Sequence, residues 1–146
     1  MSTELELFAD YHQIHVFDEG STTDLGDAWT EQTYADGLAV SDDSLAVCTA
    51  TDMVVAVSVE IGEAAPVDDS DTFDHVVEGS LRAGSGRLVI MGCTDYEPEA
   101  ARFAVPAGWV RLRASRAAAG DGERVRIQVW PEAHGPAAVL KRWCAV

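Results

Sequence analysis

The sequence predicts an all-β domain: an antiparallel two-sheet β sandwich, with a flattened β barrel as the nearest alternative and one short helix near residues 30–36. Three observations lead there. Short runs rich in β-branched and apolar residues recur with turn formers between them. Several of these runs alternate apolar and polar residues, the period of a strand with two unlike faces. No stretch alternates strand with helix as a βαβ fold would require. At 146 residues the chain has the commonest single-domain length, so one domain is expected over residues 1–146. A hydrophobic content of 47 % and a charged content of 24 % are those of a globular chain.

Leu5, Leu7 and Ala9 alternate with Glu4, Glu6 and Phe8, and the run resumes over residues 11–17. Two N-terminal strands, or one bent strand, therefore precede the turn Asp18-Glu19-Gly20-Ser21. Thr30 as N-cap, Glu31 in the first turn and Gly37 as terminator mark the helix. Residues 38–40 and 45–49 flank Ser41-Asp42-Asp43-Ser44, a hairpin turn, and residues 53–61 extend the pair into a meander. Residues 64–71, which include Pro66, form an exposed acidic loop before a strand at 73–81. Gly84-Ser85-Gly86 turns the chain back through residues 87–91, and residues 94–98 are a loop.

Residues 101–105 and 109–115 read as a hairpin about Pro106-Ala107-Gly108. In its second strand Trp109, Arg111, Arg113 and Ser115 share one face and Val110, Leu112 and Ala114 the other, which predicts one wet side. After Gly120-Asp121-Gly122, Arg124, Arg126 and Gln128 alternate with Val125, Ile127 and Val129. The arginines thus belong to two neighbouring outer strand faces. Residues 137–146 fit a strand or a helical turn equally well.

Charge is divided unevenly along the chain. Residues 1–81 carry 19 Asp and Glu with no Lys or Arg, whereas residues 82–146 carry 6 acidic and 10 basic residues, for a net charge of −15. A negative field attracts cations and basic partners and repels phosphates, so direct nucleic-acid binding is not expected. Such acidity also suits a solubility-driven or salt-adapted surface, and strand pairing can mix the two blocks. No apolar run reaches the ~18 residues of a membrane span, and the N-terminus lacks the pattern of a secretory signal. Cys48, Cys93 and Cys144 form neither a disulfide framework nor a zinc motif, which leads to the expectation of a cytoplasmic protein with reduced thiols.

No catalytic residue, cofactor or metal site is expected. His12 and His15, three apart on a strand, would face opposite ways and could not chelate one metal. Asp68, Asp69, Asp71 and Asp74 suggest calcium, but the position that needs Gly is Asp74 and the one that needs Glu is Ser80. Asp74-His75 with Cys48 or Cys93 would be required for a Cys-His enzyme, yet both thiols lie in apolar strand contexts typical of inert packing. A metal-dependent enzyme would need His12, His15, His75 or His134 to converge with carboxylates. A second reading is a small-molecule or carbohydrate-binding sandwich, which would show a deep apolar pocket containing Trp or Tyr.

Tyr11-His12-Gln13 followed by Val16-Phe17, then Ala28-Trp29-Thr30 leading through Tyr34-Ala35-Asp36-Gly37 to a strand pair, resembles the competence protein J (ComJ) family. The resemblance covers residues 10–60, with a looser similarity at residues 103–108. It implies a non-enzymatic protein that masks a nuclease of DNA uptake by binding it. The acidic half has the sign needed to compete with phosphates at a cationic site. The residues expected to face a basic partner such as a nuclease are Asp18, Glu19, Asp42 and Asp43 in the turns, with Asp68, Asp69, Asp71 and Asp74 in the acidic loop.

Overall fold

The computed structural model describes residues 2–143. Cys144 and the end of the predicted C-terminal segment lie outside the described residues. Eleven strands and one helix follow in order: β1 (Ser2–Phe8), β2 (Gln13–Asp18), α1 (Glu31–Asp36), β3 (Leu38–Val40), β4 (Ser44–Cys48), β5 (Val54–Ile61), β6 (His75–Ala83), β7 (Arg87–Gly92), β8 (Ala101–Ala104), β9 (Gly108–Ala119), β10 (Gly122–Pro131) and β11 (Ala138–Lys141). They form a six-stranded sheet, β1-β5-β10-β9-β6-β11, and a five-stranded sheet, β3-β4-β2-β7-β8. The predicted sandwich is thus the architecture observed. Apolar faces such as Val55, Val57 and Val59 of β5 and Leu112 of β9 meet Ile14, Leu45 and Ile90 of the smaller sheet to make one core.

The helix forms where its caps dictate. The Thr30 hydroxyl accepts the Thr33 backbone N–H at 3.1 Å, and Gly37 closes the helix at φ 76° with its N–H donating to the carbonyls of Thr33 and Tyr34. A Cβ on Gly37 would come within 3.1 Å of the His75 ring nitrogen, so the position is restricted by both conformation and space.

Several local connections differ from expectation because the chain changes sheets more often than alternation reveals. Residues 101–104 and 108–119 are not a hairpin: β8 pairs with β7 in one sheet while β9 pairs with β6 and β10 in the other. The predicted meander stops at β4, since β5 crosses to the larger sheet and pairs with β1 and β10. Gly84-Ser85-Gly86 is likewise a corner between sheets. Finally, β5 and β10 run parallel, the one departure from antiparallel pairing among the described ladders.

That parallel ladder has a topological consequence. Because β10 and β9 lie between β5 and β6, and β9 is antiparallel to both β10 and β6, β6 runs parallel to β5. Residues 62–74 must therefore travel back along the sheet before β6 begins. They do so over the outer face of β10 and β9, and that crossover covers the face predicted to be wet. Arg111 and Arg113 are each only 6 % exposed and Ser115 is fully buried.

Candidate functional site

The arginine face and the acidic loop meet each other. Arg111 Nε and Arg113 Nε donate to opposite oxygens of Glu78 at 3.1 and 2.7 Å. Arg113 also donates to the carbonyls of Pro66 and Val67, holding the crossover by its backbone. Arg126 makes a two-pronged pair with Asp69 at 2.8 and 2.5 Å, and the guanidinium carbons of Arg124 and Arg126 lie 4.4 and 4.6 Å from the centre of the Phe73 ring. The hydrogen bond from Arg126 holds the Asp69 carboxyl below its usual range, and Asp69 in turn raises Arg126.

The other candidate carboxylates divide between two ends of β6. At its C-terminal end Asp18 is buried, accepting from the Gly20 N–H, the Ser85 N–H and the Ser85 hydroxyl at 3.0, 2.9 and 2.7 Å. Glu19 pairs with Arg102 at 2.9 Å, Asp42 pairs with Arg82, and Asp43 accepts the hydroxyls of Ser21 and Thr23 at 2.8 Å each. At the other end Asp74 accepts the Ala118 N–H at 3.0 Å. Asp68 accepts the Ser70 N–H on the crossover, a bond that lowers its carboxyl, and Asp71 is exposed. The turn group and the crossover group are therefore not one continuous cluster, and Asp18 is a fold-holding carboxylate.

All ten basic side chains turn to internal partners. Eight arginines pair with seven carboxylates, while Arg124 and Lys141 donate to the carbonyls of Thr72 and Asp71. Of the 25 Asp and Glu residues, 18 have no cationic side chain within ion-pair distance among the described residues.

The groups considered for catalysis do not assemble. His12 sits at a corner with φ 60°, while His15 on β2 hydrogen-bonds to Gln13 at 2.8 Å and is pushed below the usual imidazole range by burial. His134 packs against Trp109. His75 is buried with both nitrogens occupied: one lies 2.7 Å from the Asp36 carbonyl and the other accepts the Trp143 N–H at 2.9 Å. Burial pushes the Cys48 thiol up to about 11 and the Cys93 thiol upward as well, the wrong direction for a nucleophile at neutral pH. No group of three or more His, Cys, Asp or Glu suited to a metal occurs among the described residues.

Two features escaped the sequence. Glu123 is buried and accepts the Ala50 and Thr51 N–H groups and the Thr51 hydroxyl, fixing the turn after β4; nothing local to β10 announces this role. The second is an exposed apolar corner of Phe8, Tyr11, Met53 and Val54. A signal existed for it: inward positions are odd at Leu5, Leu7 and Ala9 but even at Ile14 and Val16. That phase change requires a break, and the structure places Tyr11 and His12 there, both with positive φ.

A cavity of about 440 Å³ lies between α1, β3 and β11, with Leu38, Val40, Val77 and Val139 along it and Asp36 and Arg142 paired at its edge. Neither Trp nor Tyr lines it, whereas Trp130 and Trp143 border smaller recesses of about 170 and 210 Å³.

No family model matches the chain, and no curated protein matches it. Among solved structures it is similar to the crystal structure of ComJ from Bacillus subtilis, an inhibitor of the DNA degrading activity of NucA. That likeness has a TM-score of 0.73 and 17 % identity over 89 % of this chain and 96 % of that one. It is also similar to the product of crocagin biosynthetic gene J, with a TM-score of 0.65 and 17 % identity over 90 % of this chain and 97 % of that one. The likeness extends over most of both chains: this chain has the fold of ComJ.

Proposed function

We propose that this chain is a non-enzymatic binding protein that inhibits a nuclease by occupying its cationic, phosphate-binding surface. The observation that carries the reading is the imbalance of ion pairing. Every basic side chain has a carboxylate or carbonyl partner within the chain, and 18 carboxylates have no cationic side chain within ion-pair distance among the described residues. A folded array of carboxylates competes with phosphates for Lys and Arg and speeds encounter with a basic partner. The fold shared with an inhibitor of NucA supports a nuclease as the client. The raised thiols and fully engaged His75 favour binding over chemistry.

In this reading Asp43, Asp68, Asp71 and Asp74 contribute to the field around the molecule, and Asp42 is neutralised by Arg82. Asp18, Glu19 and Asp69 act by holding the turns and the crossover in place. A cytoplasmic location belongs to the same proposal, in keeping with the free thiols of Cys48 and Cys93.

Calorimetric titration of the purified chain into NucA at low salt tests the proposal. Saturable one-site binding that weakens as salt rises is expected. The absence of binding at micromolar concentrations and low salt would contradict it.

A further inference from the structure

We infer that the corner formed by residues 8–12 and 49–54 is the centre of the contact with the basic nuclease, an inference that rests on the binding role proposed above. The corner is built by direct links between its two segments. Phe8 pairs with Val54 at the end of the β1–β5 ladder, the Ala9 N–H donates to the Met53 carbonyl at 2.9 Å, and the Thr49 N–H donates to the His12 carbonyl at 2.9 Å.

Apolar exposure is concentrated here. Of eight large hydrophobic side chains that are well exposed among the described residues, four belong to this corner: Phe8 at 44 %, Tyr11 at 66 %, Met53 at 44 % and Val54 at 53 %. Scattered exposed hydrophobics are ordinary, but a contiguous group of them marks an interaction surface. Tyr11 and His12 are the two non-glycine residues with positive φ among the described residues, at 56° and 60°. That backbone turns the Tyr11 ring outward instead of continuing the inward alternation of β1.

The charges around the patch select the partner. Glu6 and Asp52 are exposed and Asp10 is half-buried, and none has a cationic partner among the described residues. Asp10 accepts from the Tyr11 N–H and the Thr94 hydroxyl, which fixes its position. An aromatic and apolar centre with a polar, charged rim is the anatomy of a protein interface. Its sign calls for a partner with Lys and Arg around an apolar slot. Two copies of this chain would bring like charges together at −15 each, which disfavours self-association through this face. The crossover is a weaker candidate because Asp69 is already paired with Arg126, and the cavity by α1 is edged by a neutralised Asp36–Arg142 pair.

The experiment titrates NucA with the full chain and with Tyr11→Gly, Met53→Ser and the exposed control Val67→Ser. Glycine accepts the backbone conformation at position 11, so Tyr11→Gly removes the ring without adding strain. Each corner variant is expected to weaken binding by about 30-fold or more, as loss of a central anchor does, and the control by less than about threefold. Circular dichroism and melting identify any variant that fails to fold, in which case the other corner variant decides. Wild-type binding that both corner variants leave unchanged overturns the corner assignment while sparing the nuclease reading. Failure of the wild-type chain to bind overturns the nuclease reading, and the corner's partner with it.

Discussion

The carboxylate of Asp69 grips the guanidinium of Arg126 through two hydrogen bonds of 2.8 and 2.5 Å, joining the acidic first half of the sequence to the basic second half. The pair connects the crossover to β10, and the crossover exists because β5 and β10 are parallel. Asp69 is partly exposed, so screening keeps the pair's value to about 1 kcal/mol. Asp69→Asn is expected to lower stability by about that amount, with a smaller effect in high salt. Denaturant unfolding at two salt concentrations checks it. Since the pair depresses the Asp69 carboxyl, its contribution is present above the ordinary Asp value and is lost as pH falls through the lowered one.

Glu78 presents a different balance. It sits between Arg111 and Arg113, both almost fully buried, and its removal leaves two buried guanidiniums without their shared counter-charge. Glu78→Gln is expected to cost about 3 kcal/mol or more, well above Asp69→Asn. Comparison of the two unfolding midpoints in one buffer decides the order, and equal midpoints would contradict it.

Gly92 is required by a close approach. A Cβ there would lie 2.1 Å from the Phe8 carbonyl oxygen, which is backbone and cannot swing aside. Gly92→Ala must push the end of β1 away from β7, at a cost of about 1–3 kcal/mol by overpacking. Because Phe8 belongs to the apolar corner, the same variant is expected to weaken nuclease binding. Melting and titration of one sample measure both effects.

His75 gives a pH dependence with a definite sign. One ring nitrogen accepts the Trp143 N–H, so the ring is neutral, with its Nε2–H donated to the Asp36 carbonyl. Burial lowers its proton affinity, and the neighbouring Arg116 and Arg142 lower it further, against the opposing hydrogen bond to the Asp36 carbonyl and the Asp36 charge. The unfolded chain therefore binds the proton more readily. Stability is complete above the ordinary His value near 6.5 and is lost as pH falls through the lower folded value. His75→Gln is expected to flatten the stability profile as pH falls below the ordinary His value near 6.5, relative to wild type. His15, lowered by burial in both proteins, supplies the slope that remains.

The parts legible in the sequence were those set by local physics. Thr30 and Gly37 fix α1 through backbone caps, and the alternation of Arg124, Arg126 and Gln128 with Val125, Ile127 and Val129 describes β10 correctly. Pairing between distant strands was not legible, because alternation identifies a face without naming the sheet. Residues 101–104 and 108–119 therefore looked like a hairpin, and the covered arginine face looked wet. Asp42, Asp43, Asp68 and Asp69 lie in the turn and the acidic loop that composition marks, whereas Asp18 ends β2 and is buried, and only the folded chain reveals that Asp18 faces Ser85 and Asp69 faces Arg126. The corner at Tyr11 lay in the phase change between Ala9 and Ile14, a signal readable only as a break.

The most direct test of the proposed role is DNA cleavage by NucA, measured with and without a micromolar excess of this chain at low and at raised salt. Cleavage suppressed at low salt, partly restored as salt rises, and relieved by Tyr11→Gly is the expected result. Undiminished cleavage at low salt in the presence of folded wild-type chain would contradict the role as an inhibitor of that nuclease.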